Sequence, residues 1–398
     1  MEVDDLVEFP HINTRTTLEQ EGVELYCRQI YAKYEQNGKN STPEKLPELD
    51  RESIRNFLLK GLRSLSSGYQ NLDASRPWLM YWIVHSLELL RIPIPEAVIP
   101  DIILSLKHCH NSTGGFGGGP GQISHLAPTY AAVNTLCIIG TPEAWSIIDR
   151  QKLAEWLNSL RLSNGSFLMH HDGEIDIRGV YCAVSVAKLT NIFSEDLFKH
   201  TVSWIKSCQT HEGGFGPVPY MEAHGGYSFC AIAALSLFGD VSGIRLDKLA
   251  RWTSKRQMKL EGGFQGRTNK LVDSCYSFWQ GAILPILDAH LVPDDKKKDE
   301  ILPQAWLYNQ INLQRYLLIC CQDPRGGLID KPGKSRDYYH TCYALSGLSI
   351  AQHSRNKKFV YGNASNELKP SHVLYNIGVD AVSKALEFFK NFPVPLFD

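Results

Sequence analysis

The chain has 398 residues, 43% hydrophobic and 21% charged, a composition that suits a large globular domain and excludes a disordered or fibrous one. A formal net charge of −1 gives no overall attraction to nucleic acid, and no apolar run reaches the roughly 18 residues needed to span a membrane. Ten cysteines are scattered, some inside apolar runs (Cys137, Cys182, Cys230). With the acidic opening Met1-Glu2-Val3-Asp4-Asp5, this points to reduced thiols and a cytoplasmic setting.

Residues 1–65 read as a polar helical leader, loosest over 36–50, and 66–398 as one domain. Beyond the leader, two kinds of helical run alternate. Runs at 79–90, 126–139, 179–189, 225–238, 274–287 and 341–352 are rich in small and aromatic residues and poor in charge. Runs at 96–109, 145–160, 196–208, 245–257, 305–321 and 375–391 carry charges at helical spacing. A helix apolar all round is buried, and an amphipathic one covers it. Six inner helices ringed by six outer ones make a six-fold α/α barrel, and no stretch alternates as a strand would, so the fold expected is all-α. The charge run at 293–300 reads as a solvated loop, and 355–372 as a long polar loop before the last helix.

The period is written in the loops. Gly114-Gly115-Phe116-Gly117, Gly213-Gly214-Phe215-Gly216 and Gly262-Gly263-Phe264-Gln265 are variants of one signature, with Gly326-Gly327-Leu328 and Asn164-Gly165-Ser166-Phe167 as looser copies. The phenylalanines recur at roughly 50-residue spacing, the mark of a repeat architecture. No strand precedes these glycines and no Lys-Ser/Thr follows, so they are turns rather than phosphate loops, and each Phe is expected to plug the layers.

Trp78, His125, Arg178, His224, Asp273 and His340 stand at the starts of the six inner runs. In a closed barrel these starts share one mouth, where helix N-termini favour an anion such as diphosphate. Arg178, His224, Arg267 and Lys270 add cations there, and Tyr276 a hydroxyl donor. Each alone has an ordinary alternative as a capping or surface residue. Asp273, Cys275 and His340 offer carboxylate, thiolate and imidazole, three zinc ligands that leave a fourth position open. The competing reading is a buried Cys beside an N-capping Asp. Trp78, Trp82, Tyr130, Tyr181, Tyr227, Trp279, Tyr339 and Tyr343 fall on or near inner helices. They are either core packing or the lining of a sleeve for a long apolar ligand.

Four segments carry a resemblance. Residues 222–227 (EAHGGY), 263–267 (GFQGR), 269–279 (NKLVDSCYSFW) and 330–343 (DKPGKSRDYYHTCY) closely resemble the β subunits of protein farnesyltransferase, within the protein prenyltransferase β-subunit family. The likeness runs from about residue 66 to 398 and is loosest in the 290–305 and 355–370 loops. It implies that Asp273, Cys275 and His340 hold Zn2+, whose open position takes the cysteine of a C-terminal Cys-a-a-X protein. It implies a diphosphate cradle of His224, Arg267, Lys270 and Tyr276, joined by a lysine from an α subunit, with Asp330 linked to Mg2+. Arg178, Tyr181, Tyr227, Cys230 and Trp279 resemble the isoprenoid wall. Trp78, Trp82, Tyr339 and Tyr343 resemble the peptide pocket and tunnel floor, with Ser75, His125, Ala127 and Pro128 near the terminal X residue. The reaction implied is transfer of farnesyl from farnesyl diphosphate to a thiol, by an obligate αβ heterodimer. The bulk of Trp78 and Tyr343 favours the fifteen-carbon donor over the twenty-carbon donor of geranylgeranyltransferase type I. The rivals are that enzyme, a glycosidase on the same barrel, which needs two carboxylates across its cleft, a terpene cyclase, for which no Asp-x-Asp-Asp run exists, and a non-catalytic scaffold.

Overall fold

The computed structural model describes residues 14–39, 46–291, 307–354 and 357–396. Its helices are, in order, α1 Arg15–Lys39, α2 Arg51–Arg63, α3 Arg76–Leu89, α4 Ile99–Cys109, α5 Leu126–Ile139, α6 Pro142–Trp145, α7 Arg150–Leu160, α8 Ile177–Leu189 and α9 Thr201–Ser207. There follow α10 Gly225–Phe238, α11 Leu246–Ser254, α12 Tyr276–Trp279, α13 Ile283–Leu291, α14 Gln310–Cys320, α15 Tyr338–Gln352 and α16 Val379–Phe389. Strand among the described residues amounts to two hairpins, β1 Leu328–Ile329 with β2 Arg336–Asp337, and β3 His353–Ser354 with β4 Lys357–Lys358. The molecule is all-α.

α3, α5, α8, α10, the α12–α13 pair and α15 form the inner ring, each packed on the next, and α15 returns to α3 to close it. α5, α10 and α15 are buried on nearly every side, as helices without a polar face must be. The charged 293–300 run lies outside the described residues.

The repeat loops weld the ring. Gly114 has φ 98°, and a Cβ there would stand 2.2 Å from the Lys152 carbonyl oxygen at the start of α7. The same approach recurs at Gly213 on Lys248 of α11 and at Gly262 on Asn312 of α14. At Gly326, with φ 91°, a Cβ would stand 2.0 Å from the Ser53 carbonyl oxygen of α2. Only glycine permits both the left-handed backbone and the contact. Phe116, Phe167, Phe215 and Phe264 are all buried, as expected of plugs. A second set of bonds ties five of the six inner helix starts to the following loop. Arg76 N–H donates to Gly118 O, Leu126 to Met169 O, Ile177 to Pro217 O, Gly225 to Gly266 O and Ser274 to Asp330 O, all within 2.8–3.0 Å.

Three features depart from the sequence reading. Gly326 closes on α2, so α2 is the sixth outer helix and lies in the stretch read as leader. The run at 375–391 instead yields α16, which packs against α5 and α8, with 371–378 as a separate hairpin. The fifth inner run, read as continuous over 274–287, breaks between α12 and α13. There the Gly281 amide bonds to Tyr276 O, five residues back. Gly347 of α15 approaches Ser277 so closely that a Cβ would lie 2.3 Å from Ser277 Cβ. The described part of the 355–372 stretch is also more than a polar loop. Buried Asn366 accepts from Leu49 N–H at 2.7 Å and donates to Pro47 O and Tyr361 O, clamping the segment ahead of α2.

Candidate active site

Asp273 leads into α12. Its Oδ1 accepts the Cys275 N–H at 2.9 Å, an Asx turn that folds the two side chains together. His340 enters from the first turn of neighbouring α15, with Nε2 3.3 Å from Asp273 Oδ1. One ligand atom from each of Asp273, Cys275 and His340 lies within 4.8 Å of the others. Asp337, the N-cap of α15, accepts the His340 backbone N–H and its Nδ1–H, both at 2.7 Å. That second bond fixes the ring and aims Nε2 at Asp273, as a carboxylate behind a metal-bound imidazole does.

The electrostatics of this trio fit a cation. Burial, with Asp273 beside it, holds the Cys275 thiol well above its usual range. Burial works against charge on His340, yet the hydrogen bonds it donates to Asp273 and Asp337 outweigh it and lift the imidazole to about 10. Burial would raise Asp273, but His340 holds it below the ordinary carboxylate value. These shifts favour a proton on sulfur and one on imidazole around a carboxylate. One divalent ion would replace both, and the sulfur–nitrogen–oxygen donor set suits zinc. Asp330 offers one carboxylate, raised by burial and by Asp273 and paired with Lys331, too few protein ligands for an all-protein cation site.

Beside the trio lies the cationic group. His224 caps α10, its Nδ1 accepting the Gly226 N–H at 3.1 Å, and its Nε2 stands 3.0 Å from the Tyr276 hydroxyl. Burial and then the charge of Arg267 push His224 down to about 4. The expectation that His224 is a fixed cation is therefore corrected. As the site stands it is a neutral donor through Nε2–H, and the standing positive charge comes from Arg267, Lys270 and Arg178. Arg267 pairs with Glu222, Lys270 is exposed, and Arg178 is held by Asp176 through three side-chain hydrogen bonds of 2.6–3.1 Å, with its guanidinium carbon 5.8 Å from the Tyr227 ring centre.

The aromatic residues form a closed circuit of rings around the axis. Trp78 stacks on Trp82, Trp82 meets Tyr339, then Tyr343, Trp279, Phe229, Tyr181 and Tyr130, which returns to Trp78, each centroid step between 4.5 and 5.7 Å. Tyr339 touches His340 at 5.0 Å, so the circuit runs up to the trio. Cys230 is buried in α10 beside this wall. Ser75 precedes α3, and His125 caps neighbouring α5 with Ala127 and Pro128 in its first turn. Sequence reasoning missed Asp337, Glu222, Asp176 and Lys331 as partners, and Phe229 as a wall residue. Asp337 was findable, since an Asp three residues ahead of His340 is a capping pattern.

A family model for the prenyltransferase alpha-alpha toroid domain matches residues 49–377. The chain is 40% identical to the protein farnesyltransferase subunit beta of Arabidopsis thaliana, covering 88% of this chain and 84% of that one. It is 41% identical to the corresponding subunit of Pisum sativum, over 79% and 89% of the two chains. Among solved structures, Candida albicans protein geranylgeranyltransferase-I complexed with GGPP superposes with a TM-score of 0.70 at 22% identity, over 86% of this chain and 99% of that one, a likeness of fold.

Proposed function

The chain belongs to the protein farnesyltransferase β-subunit family, prenyltransferase enzymes on an α-α toroid, and on that premise we propose that it is the catalytic β chain of an αβ heterodimer that moves farnesyl from farnesyl diphosphate to the cysteine of Cys-a-a-X proteins. The observation that carries this reading is the Asp273–Cys275–His340 trio beside a cationic cradle and at the edge of the aromatic circuit.

Asp273, Cys275 and His340 would hold zinc, which when bound supplies the field that ionises an incoming thiol near neutral pH. Asp337 keeps His340 in the tautomer that presents Nε2. The aromatic circuit takes up the isoprenoid and keeps water from the reacting carbon. As the thiolate sulfur bonds to C1, the C1–O bond breaks and its electron pair leaves on diphosphate. Arg267, Lys270, the His224 Nε2–H and the Tyr276 hydroxyl are the groups positioned to bind that growing charge. Asp330, with the diphosphate oxygens, would hold magnesium. Ser75, His125, Ala127 and Pro128 would bound the terminal X residue, beside Trp78 and Trp82. The bulk of Trp78 and Tyr343 favours the fifteen-carbon donor.

The test is assay of the chain co-expressed with an α subunit, using a Cys-a-a-X peptide and farnesyl or geranylgeranyl diphosphate. Farnesyl transfer that requires both subunits is expected. Transfer of neither group would overturn the reading, and a preference for the longer donor would favour the geranylgeranyl alternative.

A further inference from the structure

Arg178 and Arg267 both belong to the cationic group, but their counter-ions differ in kind. Arg178 is held by Asp176, the buried N-cap of α8, whose Oδ1 also accepts the Arg178 backbone N–H at 2.8 Å. Arg267 pairs with Glu222, and the side chains of that pair are 40% and 49% exposed, against 9% for Asp176. A buried carboxylate bound to both backbone and guanidinium is not given up without leaving a charge unpaired. An exposed ion pair contributes little and exchanges readily with another anion.

The backbone under both partners of the exposed pair is fixed. Ahead of Arg267, Gly266 O accepts the Gly225 N–H at 2.8 Å and the Gln280 side-chain amide at 3.2 Å. A Cβ on Gly266 would stand 2.3 Å from the Tyr276 ring. Behind Arg267, the Thr268 hydroxyl accepts from buried Arg256. Glu222 precedes buried Ala223 and then His224, whose N–H donates to Phe215 O at 3.0 Å. Exchange at this pair is therefore a matter of side chains, with no loop to move. After burial, Arg267 lowers and Glu222 raises the His224 imidazole, so both charges reach the ring that faces the Tyr276 hydroxyl. The acid stands inside the cradle, on a cation that a leaving diphosphate needs.

We propose that Glu222 is an internal stand-in for the diphosphate, a positioning residue that holds Arg267 between turnovers, yields it to substrate and reclaims it from the product. The inference rests on the prenyl-transfer reading above. A carboxylate carries one negative charge and a diphosphate several, so the substrate wins Arg267. The competition still weakens every diphosphate alike, whether it is bound as substrate or as product. Glu222 thereby lowers ground-state affinity and speeds departure of the inorganic product.

The experiment uses the αβ complex and measures binding of inorganic pyrophosphate by calorimetry, which needs no turnover. Glu222→Gln keeps the shape and removes the charge at an exposed position. Pyrophosphate is expected to bind about fivefold tighter, the upper end of what an exposed ion pair contributes. Glu222→Asp should return part-way to wild type, and the gain should shrink as salt is raised. In an Arg267→Ala background the gain from Glu222→Gln should fall below about twofold, because the acid has no cation left to withhold. Unchanged or weaker binding in Glu222→Gln would mean that the acid merely braces Arg267, and overturns the proposal. An equal gain in both backgrounds marks a general charge effect and overturns it too. A wild-type complex that binds no pyrophosphate and transfers no prenyl group overturns the prenyl-transfer reading, and this inference with it.

Discussion

Two residues apart on a helix, Asp273 and Cys275 would point in different directions. They converge because the carboxylate caps the Cys275 amide before α12 begins. Asp337 repeats the device for His340. Asp337→Asn should therefore weaken zinc binding about 10- to 100-fold with the three proposed ligands intact, measured by competition with a chelator of known affinity. Unchanged affinity would show that the second carboxylate does nothing for the ion. On the cationic side, Arg267→Ala should lower kcat/KM for the diphosphate by about 10²–10³ while leaving peptide KM alone, since the lost interaction grows as charge develops on the leaving group. At the wall, Trp78→Thr should shift donor preference toward the twenty-carbon chain. Removing bulk lets extra methylenes enter, each contributing about 0.8 kcal/mol when buried. An unchanged ratio in competition kinetics would count against a steric floor at Trp78.

The elements were legible where local pattern decides and hidden where distant contact does. Four inner helices could be read from the sequence because residues such as Leu126 and Ala131 are apolar all round and a glycine loop precedes each helix. The break after Trp279 could not be read, because it answers to Gly347, 70 residues on, pressing against Ser277. The hairpin passed for part of a helix because Tyr375 and Ile377 are apolar, and nothing local says that their carbonyls belong to Tyr130 and Tyr181. His224 was misjudged as a cation because its charge depends on burial, which a single sequence does not display. The loop glycines make a quantitative test. Gly326→Ala puts a Cβ into the Ser53 carbonyl at positive φ and should cost more than about 2 kcal/mol. Gly22 in α1 has open space around its Cβ, so Gly22→Ala should stabilise by up to about 1 kcal/mol. Chemical denaturation of both variants checks the pair, and equal effects would contradict the ring-weld reading of Gly326.

The whole molecule is a ring closed three times over. Gly326 meets α2, α15 packs on α3, and the 371–378 hairpin is latched to Glu88 of α3. Burial alone would raise the Glu88 carboxyl, but His85, Lys369 and the Gly378 amide hold it below its ordinary value of 4.5. A folded value below the unfolded one means that this stabilisation is present in full above the unfolded pKa and is lost as pH falls through the folded one. Glu88→Gln should thus flatten the acid limb of the stability–pH curve between about pH 5 and 3, a change that denaturant melts at stepped pH will register. A parallel curve, merely displaced, would show that Glu88 titrates alike in both states.

The measurement that bears most directly on the proposed chemistry is elemental analysis of the purified αβ complex, wild type against Cys275→Ala, with circular dichroism to confirm the fold. About one zinc per complex is expected in the wild type, and almost none in the variant, together with loss of peptide modification. A folded Cys275→Ala complex that keeps its zinc, or an active wild type that contains none, would contradict the assignment of Asp273, Cys275 and His340 as the metal site.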